Sequence, residues 1–173
     1  YGDKVYVSGA FGKLTDLNDD ANFAKKFWNA EIGTNTDSFV NGKVGYLKTK
    51  LDADGEAAFN GKDSVGIWYA GLDFQLTDDL GLNAMYLHSN RDRFADEDGN
   101  NYKSKKDGYV FGLAYKGAEA DEPGSWGLSA NYYHQGRGTY LAHTIDGDTD
   151  FATGFKGWSV GGDLAVAKNM VAN

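Results

Sequence analysis

The clearest pattern of apolar and polar positions runs from Ser64 to Ser89. Trp68, Ala70, Leu72, Phe74 and Leu76 fall on one face of an extended chain, and Tyr69, Gly71, Asp73 and Gln75 on the other. After the polar turn Thr77–Leu80 the alternation resumes, with Leu82, Ala84 and Tyr86 set against Asn83, Met85 and Leu87. A period of two on both sides of a tight turn predicts a β-hairpin. Only Met85 and Leu87 break it, as apolar residues on the polar side. Each limb is about ten residues, the length a tilted strand needs to cross a bilayer.

The same period predicts strands elsewhere. Lys4–Leu14 sets Val5, Val7 and Phe11 against Tyr6, Ser8, Ala10 and Gly12. Lys26–Thr36 reads as a second strand with Trp28, Ala30 and Ile32 outward, in preference to a helical turn over Phe23–Trp28. Asn41-Gly42 is the favoured pair for a two-residue hairpin turn, because both residues tolerate positive φ. It is expected to lead into a third strand, Lys43–Asp52, with Leu47, Thr49 and Leu51 on one face and Tyr46, Lys48 and Lys50 on the other. Gly108–Lys116, Ser125–His134 and Phe155–Ala167 complete eight strands, and Met170–Asn173 reads as a ninth beginning. The connections Thr15–Lys25, Asp52–Asp63, Asn90–Asp107 and Gln135–Thr153 are long and polar, and those between them are short. Long connections on one rim and short turns on the other match an outer-membrane barrel.

Composition sharpens this reading. The chain has 173 residues, formal charge −8, 24 glycines, one proline and no cysteine, and it is rich in aromatics despite a mean hydropathy of −0.54. A soluble core draws more heavily on Leu, Ile and Val, whereas a transmembrane barrel needs apolar residues only at alternate positions. No apolar run approaches the ~20 residues of a membrane helix. Trp68, Tyr86, Tyr109, Tyr115, Trp126, Tyr132 and Trp158 lie towards strand ends, as the aromatics of membrane–water girdles do. A soluble antiparallel barrel or sandwich would share the alternation but would not need those aromatics. The net charge argues against nucleic acid as a partner. The absence of cysteine excludes disulfides and Cys-based metal sites, and no secretory leader heads the sequence, so a mature chain or an excised piece is expected.

Three segments resemble the C-terminal porin domain of OmpM-type proteins, the outer-membrane tethering porins of diderm relatives of Gram-positive bacteria. They are IWYAGLDFQLTDDLGLNAMYLHSN, KDGYVFGLAYKGAEADEPGSWGLSANYY and GFKGWSVGGDLAVAKNMVAN, over a third of the chain together. The last two carry the more specific features: Pro-Gly-Ser-Trp-Gly entering a Tyr-rich strand, and Gly-Trp-Ser-Val-Gly-Gly before Ala-Lys-Asn. The resemblance implies an antiparallel transmembrane β-barrel in the outer membrane, a homotrimer in contact with lipid and lipopolysaccharide. It would pass small hydrophilic solutes and ions by diffusion, without a cofactor. The S-layer-homology and coiled-coil parts that tether such proteins to the cell wall are absent from this sequence, so tethering is not carried over. One porin domain over residues 1–173 is expected, incomplete at both ends, as part of a roughly sixteen-stranded barrel. A closed eight-stranded barrel is the competing architecture, with a side-chain-filled interior and an anchoring or adhesive role.

A channel selects by width and by lining charge. The alternation assigns Lys48, Lys50, Asp73, Gln75, Asn83, Lys116, Asn131 and Asp163 to the lumen. Tyr46, Tyr69 and Tyr133 on that face are candidates for a sugar slide. Acidic groups at Asp52/Asp54/Glu56, Asp96/Glu97/Asp98 and Asp146/Asp148/Asp150 suggest calcium. They lack the Glu at position twelve of an EF-hand loop and read better as solvated charge. His88, His134 and His143 lie in or near connections and are the candidates for a rim enzyme, but no nucleophile, zinc, phosphate or dinucleotide motif accompanies them. No catalytic or metal-ligating residue is assigned.

Overall fold

The structure is a computed structural model that describes residues 4–13, 24–95, 100–139 and 154–173. The alternating segments form strands β1 (Val5–Lys13), β2 (Ala24–Thr34), β3 (Val40–Leu51), β4 (Ser64–Thr77) and β5 (Leu80–Ser89). The segments after them add β6 (Arg93–Ala95), β7 (Asn101–Lys103), β8 (Asp107–Lys116), β9 (Trp126–Gly136), β10 (Gly154–Ala167) and β11 (Met170–Ala172). Nine strands make one antiparallel sheet in the order β1-β2-β3-β4-β5-β8-β9-β10-β11, while β6 and β7 pair only with each other. The protein is therefore all-β and antiparallel. Among the described residues β1 and β11 do not meet, and no closed eight-stranded barrel forms.

Because direct cross-strand partners share a face, the register sorts every strand residue. One face carries Val7, Ile32, Val44, Ala70, Tyr86 and Tyr109 in one row of direct partners from β1 to β8, and Leu72, Ala84, Phe111, Tyr132 and Trp158 in the next row from β4 to β10. Its large side chains are bare, with Phe11 76% and Trp158 74% exposed. The opposite face carries Tyr6, Glu31, Lys43, Tyr69, Asp73, Asn83, Asn131 and Asp163.

Gly45 shows how the polar face accommodates its rings. It is the direct partner of Tyr69, and a Cβ there would collide with the phenol. A glycine beneath the ring thus lets the tyrosine lie flat across the neighbouring strand.

Two sequence expectations fail locally. Asn41 and Gly42 are not a turn but lie inside β3, opposite Asp73 and Leu72. The chain reverses instead over residues 35–39. Asn41 closes that turn from the side: its Oδ1 accepts from Thr36 N (2.9 Å) and Oγ1 (3.0 Å), and its Nδ2 donates to Thr36 O (2.9 Å). The Thr34 hydroxyl accepts from Gly42 N at 2.9 Å. An asparagine so placed stands in for a backbone partner. Asn41→Ala removes three hydrogen bonds at a partly exposed turn and is expected to cost about 1–2 kcal/mol, read as a lower urea midpoint with unchanged m-value.

The second failure is one of face. Tyr46, Lys48 and Lys50 share the exposed apolar face with Trp28 and Trp68, while Leu47, Thr49 and Leu51 turn to the polar side. Leu51 and Thr49 are both buried there. The cause lies in the chain after β3.

Residues 53–58 form a short helix, α1 (Ala53–Ala58), whose N-cap Asp52 accepts from Gly55 N at 2.8 Å. A side-chain acceptor on an otherwise orphan N–H is what starts a helix here. α1, the β6–β7 hairpin and a 3₁₀ turn (Arg137–Thr139) fold back over the polar face at the end from which the chain leaves β3, β5 and β9. Leu51, Phe59, Val65, Ile67 and Phe94 make the buried core, with Leu47, Leu87 and Tyr102 packed against it. The polar face is thus apolar at this end because a second layer covers it. That also explains why Leu87 breaks the pattern of β5.

Candidate functional site

The open part of the polar face is built around Glu31. Tyr6 donates to Glu31 Oε1 at 2.6 Å, and Tyr69 lies 2.9 Å from Oε2 and 3.0 Å from Asn29 Oδ1. Four side chains from β1, β2 and β4 are thereby locked together across three strands, since β3 contributes Gly45 between them. A carboxylate accepting from two phenols is held rigidly, because charge-assisted bonds are shorter and stronger than neutral ones. The arrangement presents fixed hydroxyls and a negative charge on the open part of the polar face.

A second feature is a transverse row. Asn41, Asp73, Asn83, Gly112, Asn131 and Ser159 are successive direct partners across β3, β4, β5, β8, β9 and β10. The Asn83 and Asn131 amides converge over Gly112, where any Cβ would collide with both. A shallow depression of about 190 Å³ lined by Asn41, Asp73, Gln75, Asn83 and Ala114 runs along it. Amide and carboxylate groups in such a row exchange hydrogen bonds with water or sugar hydroxyls without selecting one partner.

Of the residues that sequence reasoning assigned to the lumen, Asp73, Gln75, Asn83, Asn131 and Asp163 stand on the polar face. Asp163 accepts from Ala118 N at 2.8 Å and so also holds the β8–β9 connection. Three others do not. Lys48 and Lys50 are on the apolar face, as is Tyr46, whose ring contacts Trp28 and Trp68 (centroids 5.2 and 4.5 Å). Lys116 pairs with Gly127 in the polar-face row of Asp163, but its φ is positive at 58° and its ammonium turns away to lie over the rings of Tyr115 (5.7 Å) and Trp126 (5.1 Å). A lysine turned in this way covers aromatics with its stem and carries its charge to the rim. Tyr69 and Tyr133 remain on the polar side.

All seven candidate interface aromatics lie on the exposed face. Trp28, Tyr46 and Trp68 form one cluster towards the covered end, and Tyr132–Trp158 form a pair at 5.0 Å. Tyr115 and Trp126 contact at 5.9 Å beside the short turns. Between Trp68 and Leu76 the exposed face of β4 is wholly apolar over nine residues.

Sequence reasoning missed Glu31, Tyr6 and Asn29, and it missed the covering layer. The signal for the first was Glu31 itself, the one acid within the alternating strand Ala24–Thr34. At the rim, Tyr86 donates to Asp107, and His88 Nδ1 is 2.8 Å from the same carboxylate oxygen. The pair is about half exposed, and no serine or threonine hydroxyl among the described residues is bonded to it. His134 stacks on Tyr109 at 4.6 Å. His143 and the acidic groups at 96–98 and 146–150 lie outside the described residues. Among those described, no group of three or more His, Cys, Asp or Glu residues is placed to hold a metal ion.

No protein-family model and no curated protein matches the chain.

Proposed function

We propose that the sheet is a wall of an outer-membrane β-barrel of porin type, whose polar face lines a water-filled path for small hydrophilic solutes and ions. The observation that carries this reading is the division of faces over the part of the sheet that α1 and the β6–β7 hairpin leave uncovered, apolar on one side and polar on the other from β1 to β10. A sandwich in water would cover its apolar side with a second sheet or with helices. Here every covering element among the described residues sits on the polar side, and the apolar face stands open. Large contiguous apolar surface of that kind marks contact with lipid or with another chain, and lipid accounts for the aromatics placed towards both ends of the strands.

In this reading the edges at β1 and β10–β11 join further strands. Their unpaired backbone groups could not otherwise remain in a bilayer. The layer of α1, β6–β7 and the 3₁₀ turn narrows the path from the long-connection side. Trimeric assembly and contact with lipopolysaccharide follow from the likeness to OmpM-type porins. The lining of Glu31, Asp73 and Asp163 against Lys43 favours cations.

Planar-bilayer recording of the intact protein tests the proposal. Stepwise openings with a cation-favouring reversal potential across a salt gradient are expected, and Asp73→Lys should move that potential towards anions. A silent bilayer from protein whose sheet is intact by circular dichroism would reject the channel.

A further inference from the structure

The exposed face carries a row of lysines where its aromatic cluster ends. Lys13, Lys26 and Lys50 are successive direct partners across β1, β2 and β3, and Lys48 is the direct partner of Trp28. Side chains of like charge directly opposite one another destabilise a sheet. Nevertheless no acidic side chain among the described residues lies within 4.0 Å of any of these four, in a chain whose net charge is −8. All four are exposed and lie towards the long-connection end, immediately beyond Trp28, Tyr46 and Trp68. Further along the same face of β3, past Tyr46, begins an apolar depression of about 740 Å³. Its walls include Ile32, Val44, Ala70, Ala84, Tyr86 and Phe111, with small residues in its floor.

We infer that this ladder binds the phosphorylated headgroup of an anionic lipid in the leaflet on the long-connection side, with an acyl chain in the depression below. The assignment rests on the membrane reading above and specifies the lipid. A headgroup phosphate supplies what the four ammonium groups lack, a shared anion that relieves their mutual repulsion. Their place at the edge of the apolar band is where a headgroup phosphate lies, and the aromatic cluster between ladder and depression suits the glycerol and upper-chain region. A soluble anion would account for the lysines but not for the depression on the same face.

The test uses the full chain inserted into phosphatidylcholine vesicles that contain an equal mole fraction of either acyl-brominated phosphatidylcholine or acyl-brominated phosphatidylglycerol. Bromine quenches lipid-facing tryptophans, and Trp28 and Trp68 flank the ladder. The wild-type chain is expected to prefer the brominated phosphatidylglycerol roughly fivefold or more. Lys13→Gln/Lys26→Gln/Lys48→Gln/Lys50→Gln should lose that preference yet keep its quenching by brominated phosphatidylcholine, and Lys26→Arg/Lys50→Arg should retain the preference. Equal preference in the wild type and the quadruple variant, or none in the wild type, overturns the inference while leaving the membrane reading intact. Loss of the preference in millimolar inorganic phosphate at constant ionic strength would reassign the ladder to free anions. Absence of quenching by either lipid removes the membrane reading and this inference with it.

Discussion

Leu72→Arg is expected to lower the stability of the chain in lipid vesicles by about 2–4 kcal/mol, and Ala114→Arg by less than about 1. Both positions are exposed, and both lie in strands of the same sheet. They differ in face. Leu72 is the direct partner of Gly42 and Ala84 in the apolar band, whereas Ala114 partners Gly81 and Ser129 on the polar side. In water an arginine at either site would be solvated, and neither change would cost much. In a bilayer the first arginine must reach an interface from the middle of the band, and the second stays wet. The measurement is the urea dependence of folding into vesicles, followed by tryptophan fluorescence, with the same pair in detergent-free buffer as control. Equal effects at the two sites would mean that the apolar face meets something other than lipid. The comparison is sharp because helix or strand propensity cannot supply a difference of that size between two strand positions.

The strands themselves were legible because period two survives wherever one face is apolar and the other polar, as in Trp68–Leu76 and Tyr109–Tyr115. What the period cannot carry is which face of a strand meets which face of its neighbour. β3 shows the limit: Leu47 and Leu51 look like the apolar set, and Lys48 and Lys50 like the polar set. Both assignments invert once α1 and β6–β7 cover one end of the polar face. Tertiary context thus overrode a correct local pattern. Hints of that layer were present. Leu87 violated the alternation, Asp52 preceded a helix-forming Glu-Ala-Ala, and Phe94 and Tyr102 were lone aromatics in a charged stretch. Asn41-Gly42 misled for a related reason. Its turn propensity is real, but the cross-turn bonds from Asn41 to Thr36 place the reversal a few residues earlier. The Glu31 network was beyond reach, since it joins residues from three strands that only the register brings together.

Phe94→Ala is the prediction that bears on the covering layer. Phe94 is 1% exposed, with Phe59 edge-on at 5.1 Å and Tyr102 stacked at 5.8 Å. Phe59 in turn lies beneath the Arg137 guanidinium at 5.6 Å. The ring is therefore the contact through which α1, the β6–β7 hairpin and the 3₁₀ turn share one small core with Leu51, Val65 and Ile67. Truncating a buried phenylalanine costs about 3–5 kcal/mol where the cavity cannot collapse. A layer this small, resting on a sheet with its own ladder of hydrogen bonds, has little else to hold it. The expected result is local: the layer lifts while the nine strands remain, because local unfolding follows the cooperative unit that lost its contacts. Amides of residues 53–58 and 101–103 should lose exchange protection, with those of β4 and β9 unchanged. On the proposed channel reading, single-channel conductance should also rise as the covered end opens. Phe94→Leu, which keeps most of the apolar volume, should restore protection in large part. If the whole sheet lost protection together with the layer, the polar side would be the true core of the protein and not the lining of a path.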